Sequence, residues 1–252
     1  MSDEPTLRQA VLDDPDADAP RLDYADWCAQ QPDPVTQARA ELIRAQIRLT
    51  TMSIGAASGL LSSIQALLQA HAAAWAAPIA PFVSAHHFVR GFIEHVELSA
   101  RQLLDHGAAL FAHAPIRHVD LLAIRDVDEG LFTCPQLAKV RTLGLDRLGL
   151  YDIHLKLLAA SGLFGELRWL SGVDNNFGFD AYVALAKSAS LAKLEYADFG
   201  RNPVDPVETL GFDGAEVVAA EMPSAGQALE QRFGHLEWLH REHKPGGRYA
   251  YG

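Results

Sequence analysis

The sequence predicts an α/β fold, with an α-helical N-terminal segment capping a short solenoid of stacked units, parallel strands on a concave face and helices outside. Three observations predict it. Apolar residues before position 85 recur at helical spacing; after that point a six-residue apolar pattern recurs at intervals of 23 to 27 residues; and the segments between those hexads read as helices. The boundaries follow as a helical domain over 1–85 and a repeat domain over 86–252.

Leu7–Leu12 is a short apolar-periodic helix, closed by the acidic run from Asp13 to Pro20, whose Asp and Pro residues suit a turn and the next helix start. Arg21–Gln30 forms a second helix, broken by Pro32-Asp-Pro34. From Thr36 a longer helix carries Leu42, Ala45, Leu49 and Met52, with Ile43 and Ile47 widening the stripe. Ser53–Gly59 is a small-residue break. Leu60, Ile64, Leu67, Leu68, His71 and Trp75 then form a further helix, ended by Pro78 and Pro81. Tyr24, Trp27, Leu42 and Trp75 are read as core or cap-packing residues.

The repeated hexad is apolar-x-x-apolar-x-apolar. It fits Ile93–Leu98, Ile116–Leu121, Val140–Leu145, Leu167–Gly172 and Leu191–Tyr196, with starts 23, 24, 27 and 24 residues apart. Those intervals match the period of leucine-rich repeats, about 20–29 residues. Ala100–His113, Ile153–Ala160 and Asp180–Ser188 supply helices between strands. Gly172 departs from the pattern, and Asn175-Asn176 compensates by bonding free backbone groups at the strand exit, with Asn202 serving the same purpose one unit later. After an insertion near Pro203–Pro223, Phe233–Trp238 is a candidate sixth unit.

Two segments carry a family resemblance. Asp18-Ala-Pro-Arg-Leu-Asp-Tyr-Ala-Asp-Trp27, with Asp33-Pro34 and Arg39-Ala-Glu-Leu-Ile-Arg-Ala-Gln46, resembles the N-terminal repeat-companion domain of bacterial leucine-rich-repeat proteins. Arg90-Gly-Phe-Ile-Glu-His-Val96 resembles that family's entry into its repeats. Cys28 stands where the family has Leu, Gln31-Pro32 where it has a Gly region, and Leu42 where it has Phe. The resemblance covers roughly residues 5–50 and, as divergent repeats, 88–240. It implies a helical cap followed by a short solenoid, and it transfers no catalytic residue.

Composition narrows the function. Lys and Arg number 21 against 32 Asp and Glu, a net charge of -11, which repels phosphate backbones and argues against nucleic acid. Cys28 and Cys134 are far apart and form no CxxC, against both a disulfide framework and a thiolate zinc site. The start of the chain lacks a basic and an apolar signal region, and the Leu60–Phe82 stretch is too polar to span a bilayer, so a cytoplasmic protein is expected. No Gly-rich phosphate loop, G-x-S-x-G elbow, Cys/His dyad or HExxH occurs, so no catalytic residue and no cofactor is assigned. The Asp13–Asp18 run lacks the glycine and the terminal glutamate of a calcium loop and is read as a solvated turn. His86, His87, His235, His240 and His243 are assigned surface or capping roles.

Parallel stacked strands place neighbours about 4.8 Å apart and align side chains in columns. The first column is His95, His118, Thr142, Trp169 and Lys193; the second is Glu97, Asp120, Gly144, Ser171 and Glu195; the third is Ser99, Leu122, Asp146, Val173 and Ala197. Carboxylates here accept hydrogen bonds from a cationic or amide-rich peptide, and an exposed Trp169 supplies an apolar anchor. The expected function is non-catalytic recognition of a protein or peptide through His95, Glu97, His118, Asp120, Asp146, Trp169, Lys193 and Glu195, including an accessory subunit that presents a substrate to a partner enzyme. Two alternatives stay open: a metal-dependent enzyme using His95, His118, Glu97 and Asp120, since imidazole and carboxylate suit zinc or iron, and a structural, self-assembling module.

Overall fold

A computed structural model of the chain describes residues 3–53, 56–124, 128–206 and 224–240. Most of the insertion near Pro203–Pro223, together with His243 and the 246–252 tail, lies outside the described residues. The fold is mixed α/β. Its six strands follow chain order β1-β2-β3-β4-β5-β6 in a mostly parallel sheet. Among the described residues no helix is long and apolar enough to cross a membrane. The chain divides into two compact units, the first made of residues up to 97 with 106–116, the second of 98–105 with those from 117 onward.

In the first unit, helices α1 (Glu4–Asp13), α2 (Ala19–Ala29), α3 (Pro34–Thr50) and α4 (Ser58–Ala76) follow the predicted stripes. Their starts are written in the sequence. Asp3 accepts from the Thr6 N–H at 3.1 Å and Asp33 from the Thr36 N–H at 2.9 Å, each ahead of a proline in the first turn. Val11, Tyr24, Ala25, Cys28, Ala40, Ile43 and Phe92 pack into one core, with Leu7, Trp27 and Ile47 partly buried against it. Leu42 is buried and Trp75 half-buried, as core and packing residues.

The unit also holds a hairpin absent from the expected pattern. Strand β1 (Ala85–Val89) pairs antiparallel with β2 (Phe92–Leu98) through a tight turn at Arg90 and Gly91, both with positive φ. Gln46 pins that turn: its Oε1 accepts the Gly91 N–H at 2.6 Å, and its Nε2 donates to the Phe88 carbonyl at 2.9 Å. Under it lies a buried ion cluster. Arg21 Nη2 sits 2.7 Å from Glu94 Oε1, and Arg90 Nη2 reaches both Glu94 oxygens at 3.4 Å. The two guanidinium groups also donate to the Pro15 carbonyl at 2.7 and 3.0 Å, so the Asp13–Pro20 turn closes over the same carboxylate.

In the second unit, β3 (His118–Leu121), β4 (Thr142–Gly144), β5 (Trp169–Ser171) and β6 (Tyr196–Asp198) pair in parallel. The helix α5 (Ala100–His113), whose residues from 106 onward belong to the first unit, runs between β2 and β3. A short α6 (Asp128–Leu131) precedes β4, and α7 (Asp152–Ala160) and α8 (Phe179–Lys187) separate the later strands. The hexads at Ile116, Val140 and Leu167 fall on β3, β4 and β5 in register, with Val119, Leu143 and Leu170 turned into the core.

Two hexads are corrected. The fifth unit starts at Leu194, three residues later than predicted, and reads Leu194-x-x-Ala197-x-Phe199, all three buried. Val140, Leu167 and Leu194 are then spaced by 27 residues each. Phe233–Trp238 is not a strand: it spans the end of α9 (Ala225–Phe233) and the start of a 3-10 turn over Glu237–Leu239.

The gap at Gly172 is filled by two neighbouring aromatics. A Cβ there would stand 2.8 Å from the Phe177 ring and 3.2 Å from that of Phe199, so those two aromatics occupy the volume a larger side chain would need. The predicted asparagines do bond strand-exit backbone. Asn175 Oδ1 accepts from the Leu148 and Leu150 N–H groups, and its Nδ2 donates to the Leu145 and Gly172 carbonyls. Asn202 repeats this, accepting from Phe177 N–H and donating to the Gly172 and Phe199 carbonyls. Exposed Asn176 has no such bonds from its side chain.

Candidate functional site

The parallel pairing of β3 to β6 fixes which side chains share a row. Just before the strands, the Arg141 N–H donates to the Arg117 carbonyl at 2.7 Å, Arg168 to Arg141 at 2.8 Å and Glu195 to Arg168 at 2.9 Å. Three arginines therefore stand on successive strands and end against a carboxylate, with Arg168 Nη1 2.8 Å from Glu195 Oε1. The next row is His118, Thr142, Trp169 and Tyr196; the one beyond is Asp120, Gly144, Ser171 and Asp198.

This register changes the predicted columns at their far end. Tyr196, not Lys193, follows Trp169, and Asp198, not Glu195, follows Ser171. Lys193 lies before the strand and pairs with Glu166 at 2.6 Å, while Glu195 joins the arginine row. Trp169 is 3% exposed, with its ring centroid 4.3 Å from that of Tyr196, so it is a packed aromatic and not the exposed anchor expected. His118 is likewise buried, its Nδ1 2.7 Å from Thr142 Oγ1.

What remains open to solvent is polar apart from Leu122, 50% exposed, and the partly exposed Val173. Arg168, Glu195, Asp120, Asp146 and Asp198 are each partly exposed. Asp146 accepts from Ser171 Oγ at 2.5 Å and from the Val173 N–H at 3.0 Å, which fixes its carboxylate on this face. Along the strands Arg141 and Arg168 thus precede the buried row of His118, Thr142, Trp169 and Tyr196, and Asp120 and Asp198 follow it, with Asp146 bonded to Ser171 of that outer row. The positive row is felt nearby. Glu166 is held below the usual carboxylate range, first by its hydrogen bond from Lys193 and further by the charges of Lys193, Arg117 and Arg141, against the opposing effect of burial.

His95 and Glu97 belong to the first unit, on β2. The donors gathered around them there include His87 of β1, which the sequence pattern had assigned to the surface. His87, His95 and Glu97 bring ligand-type atoms within 4.8 Å of one another. The two imidazoles stack at 4.6 Å with planes 10° apart, and His87 Nε2 lies 3.6 Å from Glu97 Oε1. A second such group, Glu230, His235 and His240, sits at the end of α9, where His240 Nε2 is 2.6 Å from Glu230 Oε1.

The first unit also holds an open cavity of about 310 Å³ that sequence reasoning missed. Tyr24, Trp27, Trp75 and Phe92 line it, and Arg39 of α3 enters it. The signal was present. Arg39 stands four residues before Ile43 and eight before Ile47, a cation in line with the apolar stripe of its own helix. Comparison with family models, with curated proteins and with solved structures finds no match to this chain.

Proposed function

We propose that the chain is a non-catalytic recognition module of the leucine-rich-repeat kind with a repeat-companion N-terminal domain. It takes a protein or peptide segment along the strand face of the second unit, as an accessory subunit presenting a substrate to a partner enzyme would. The observation that carries this reading is the pair of partly exposed charged groups of opposite sign three positions apart along four parallel strands: Arg141 and Arg168 on one side, Asp120 and Asp198, with Asp146 bonded to Ser171 of their row, on the other. An extended segment laid across the strands meets both rows. Its acidic groups face the guanidinium forks, while its cationic groups and backbone N–H groups face the carboxylates. The buried row between them, with His118 bonded to Thr142 and Trp169 against Tyr196, keeps the two rows at a fixed separation.

A displayed peptide library selected on the purified chain tests this, with affinities of the selected peptides read by fluorescence anisotropy. Peptides that bind wild type are expected to lose roughly tenfold or more on Arg168→Glu and on Asp120→Ala, and to keep their affinity on Leu61→Ala, an exposed position of α4 in the other unit. Selected peptides that bind wild type and both face variants equally overturn the reading.

A further inference from the structure

Within the first unit, the Arg39 guanidinium is the polar group that the fold leaves unanswered. It lies over three rings at once, with Cζ 5.0 Å from the Phe92 centroid, 5.9 Å from Tyr24 and 6.0 Å from Trp75. Its Nε is sealed from solvent and makes no hydrogen bond, and among the described residues no carboxylate lies within ion-pair distance of it. Burial pulls its pKa down, the expected consequence of a cation taken out of water. Its neighbours in the cavity are provided for. The Tyr24 hydroxyl donates to Glu4 at 3.2 Å, Trp75 Nε1 donates to the Val35 carbonyl at 3.1 Å, Thr36 Oγ1 donates to Asp33 at 2.7 Å, and Arg8 Nη1 lies 3.4 Å from His113 Nδ1.

Arg39 as a whole is half-buried, and a cation drawn partly out of water without an anion is stabilised by a ligand that supplies one. Guanidinium is the side chain best shaped to take a carboxylate with two parallel hydrogen bonds. The walls specify the rest. Aromatic side chains on several sides favour a flat apolar body, and a cavity near the lower end of the usual range for small-molecule sites holds one ring on a short arm, not a nucleotide. Glu4 opens onto the same space, which disfavours a phosphate dianion. We infer that this cavity binds a monocarboxylate carrying an aromatic group, with Arg39 as its carboxylate clamp and Tyr24, Trp75 and Phe92 as its walls. That chemistry has two sources, a free aromatic acid or the C-terminus of a chain ending in an aromatic residue. The site is independent of the strand face of the second unit.

Trp27 and Trp75 line the cavity, so tryptophan emission reports occupancy directly. The full chain is titrated with phenylacetate, N-acetylphenylalanine, N-acetylphenylalanine amide and inorganic phosphate. A saturable change is expected with either or both acids, with phenylacetate the tighter if the natural ligand is a free acid and N-acetylphenylalanine the tighter if it is a chain end. The amide, which lacks the charge, is expected to bind roughly tenfold or more weakly. Arg39→Met removes the clamp and abolishes binding; Arg39→Lys keeps the charge, loses the fork, and weakens binding, which keeps the test alive if the Met variant fails to fold. The inference is overturned by the absence of saturation with both acids, by an amide or phosphate that binds as tightly as the acids, or by an Arg39→Lys protein that binds like wild type.

Discussion

Arg21 and Glu94 meet at 2.7 Å with both side chains wholly buried, joining α2 to the second strand of the hairpin. Arg90 approaches the same carboxylate, and burial lowers the Arg21 pKa to about 10, with Glu94 opposing that fall and Arg90 adding to it. Two cations around one buried anion leave no tolerant way to remove the anion. Glu94→Ala is expected to cost about 3–5 kcal/mol, because it strands buried guanidinium groups and does not merely delete an attraction. Urea unfolding followed by circular dichroism measures it. An Arg21→Met, Glu94→Leu double variant is expected to recover a large part of that loss, since a well-packed apolar pair replaces the ions.

The Arg90–Gly91 turn sets a second expectation. A Cβ on Gly91 would run into Ile43 Cγ1 and lie 3.0 Å from the Ile43 Cα, at a φ of 83° that side chains disfavour. Backbone cannot move aside as a flexible side chain can. Gly91→Ala is expected to cost about 2–4 kcal/mol from strain and crowding together. Gly149 also has a positive φ, of 68°, but a Cβ added there would meet nothing within 4 Å, so Gly149→Ala is expected to cost only about 1 kcal/mol. The difference between the two melting-curve shifts isolates the close approach to α3.

Those two clusters show what the sequence made legible and what it hid. The helices of the first unit were readable because proline and capping aspartates mark their starts and apolar stripes mark their buried faces. Strands β3, β4 and β5 were readable because large aliphatic residues occupy all their inward positions save Gly172. Strand β6 was misplaced by three residues. Its central inward position is Ala197, too small to register as part of an apolar pattern, while Leu191, Leu194 and Tyr196 imitate the hexad just upstream. Strand β1 was hidden because His86 and His87 gave no apolar alternation. Trp169 differs from expectation for a related reason: it stands between two inward positions, where the pattern predicts exposure, but the neighbouring Tyr196 ring covers it. The site around Arg39 is not legible in one sequence, because the three rings that close around it come from separate elements.

The start of α3 carries a pH dependence. Asp33 is held below its ordinary value of 3.8, chiefly by the side-chain hydrogen bond from Thr36 and then by the Thr36 N–H. A carboxyl whose pKa is lower in the folded state stabilises fully above the ordinary value and loses that contribution as pH falls through the lowered one. Asparagine caps the same position without titrating. The melting temperature of wild type is therefore expected to exceed that of Asp33→Asn near neutrality, through the helix dipole, and the gap is expected to close below about pH 4. A gap that stays constant from about pH 7 to pH 3 contradicts the assignment.

The register of β6 is open to a direct test. In the observed pairing Ala197 is 2% exposed and faces the core beside Leu170, whereas the register three residues earlier would set position 197 on the outer face. A larger side chain separates the two. Ala197→Leu adds volume to a filled core layer and is expected to destabilise the chain by about 1–3 kcal/mol. On the outer face the same change would fall within the small range typical of surface substitutions, about 0.5 kcal/mol either way. Lys193→Ala serves as the complementary variant, because Lys193 is exposed and ends in a surface pair with Glu166, an interaction worth at most about 1 kcal/mol. A strongly destabilising Ala197→Leu beside a near-neutral Lys193→Ala supports the 27-residue spacing of Val140, Leu167 and Leu194. A near-neutral Ala197→Leu would instead return Lys193 to the row after Trp169 and remove Asp198 from the row after Ser171.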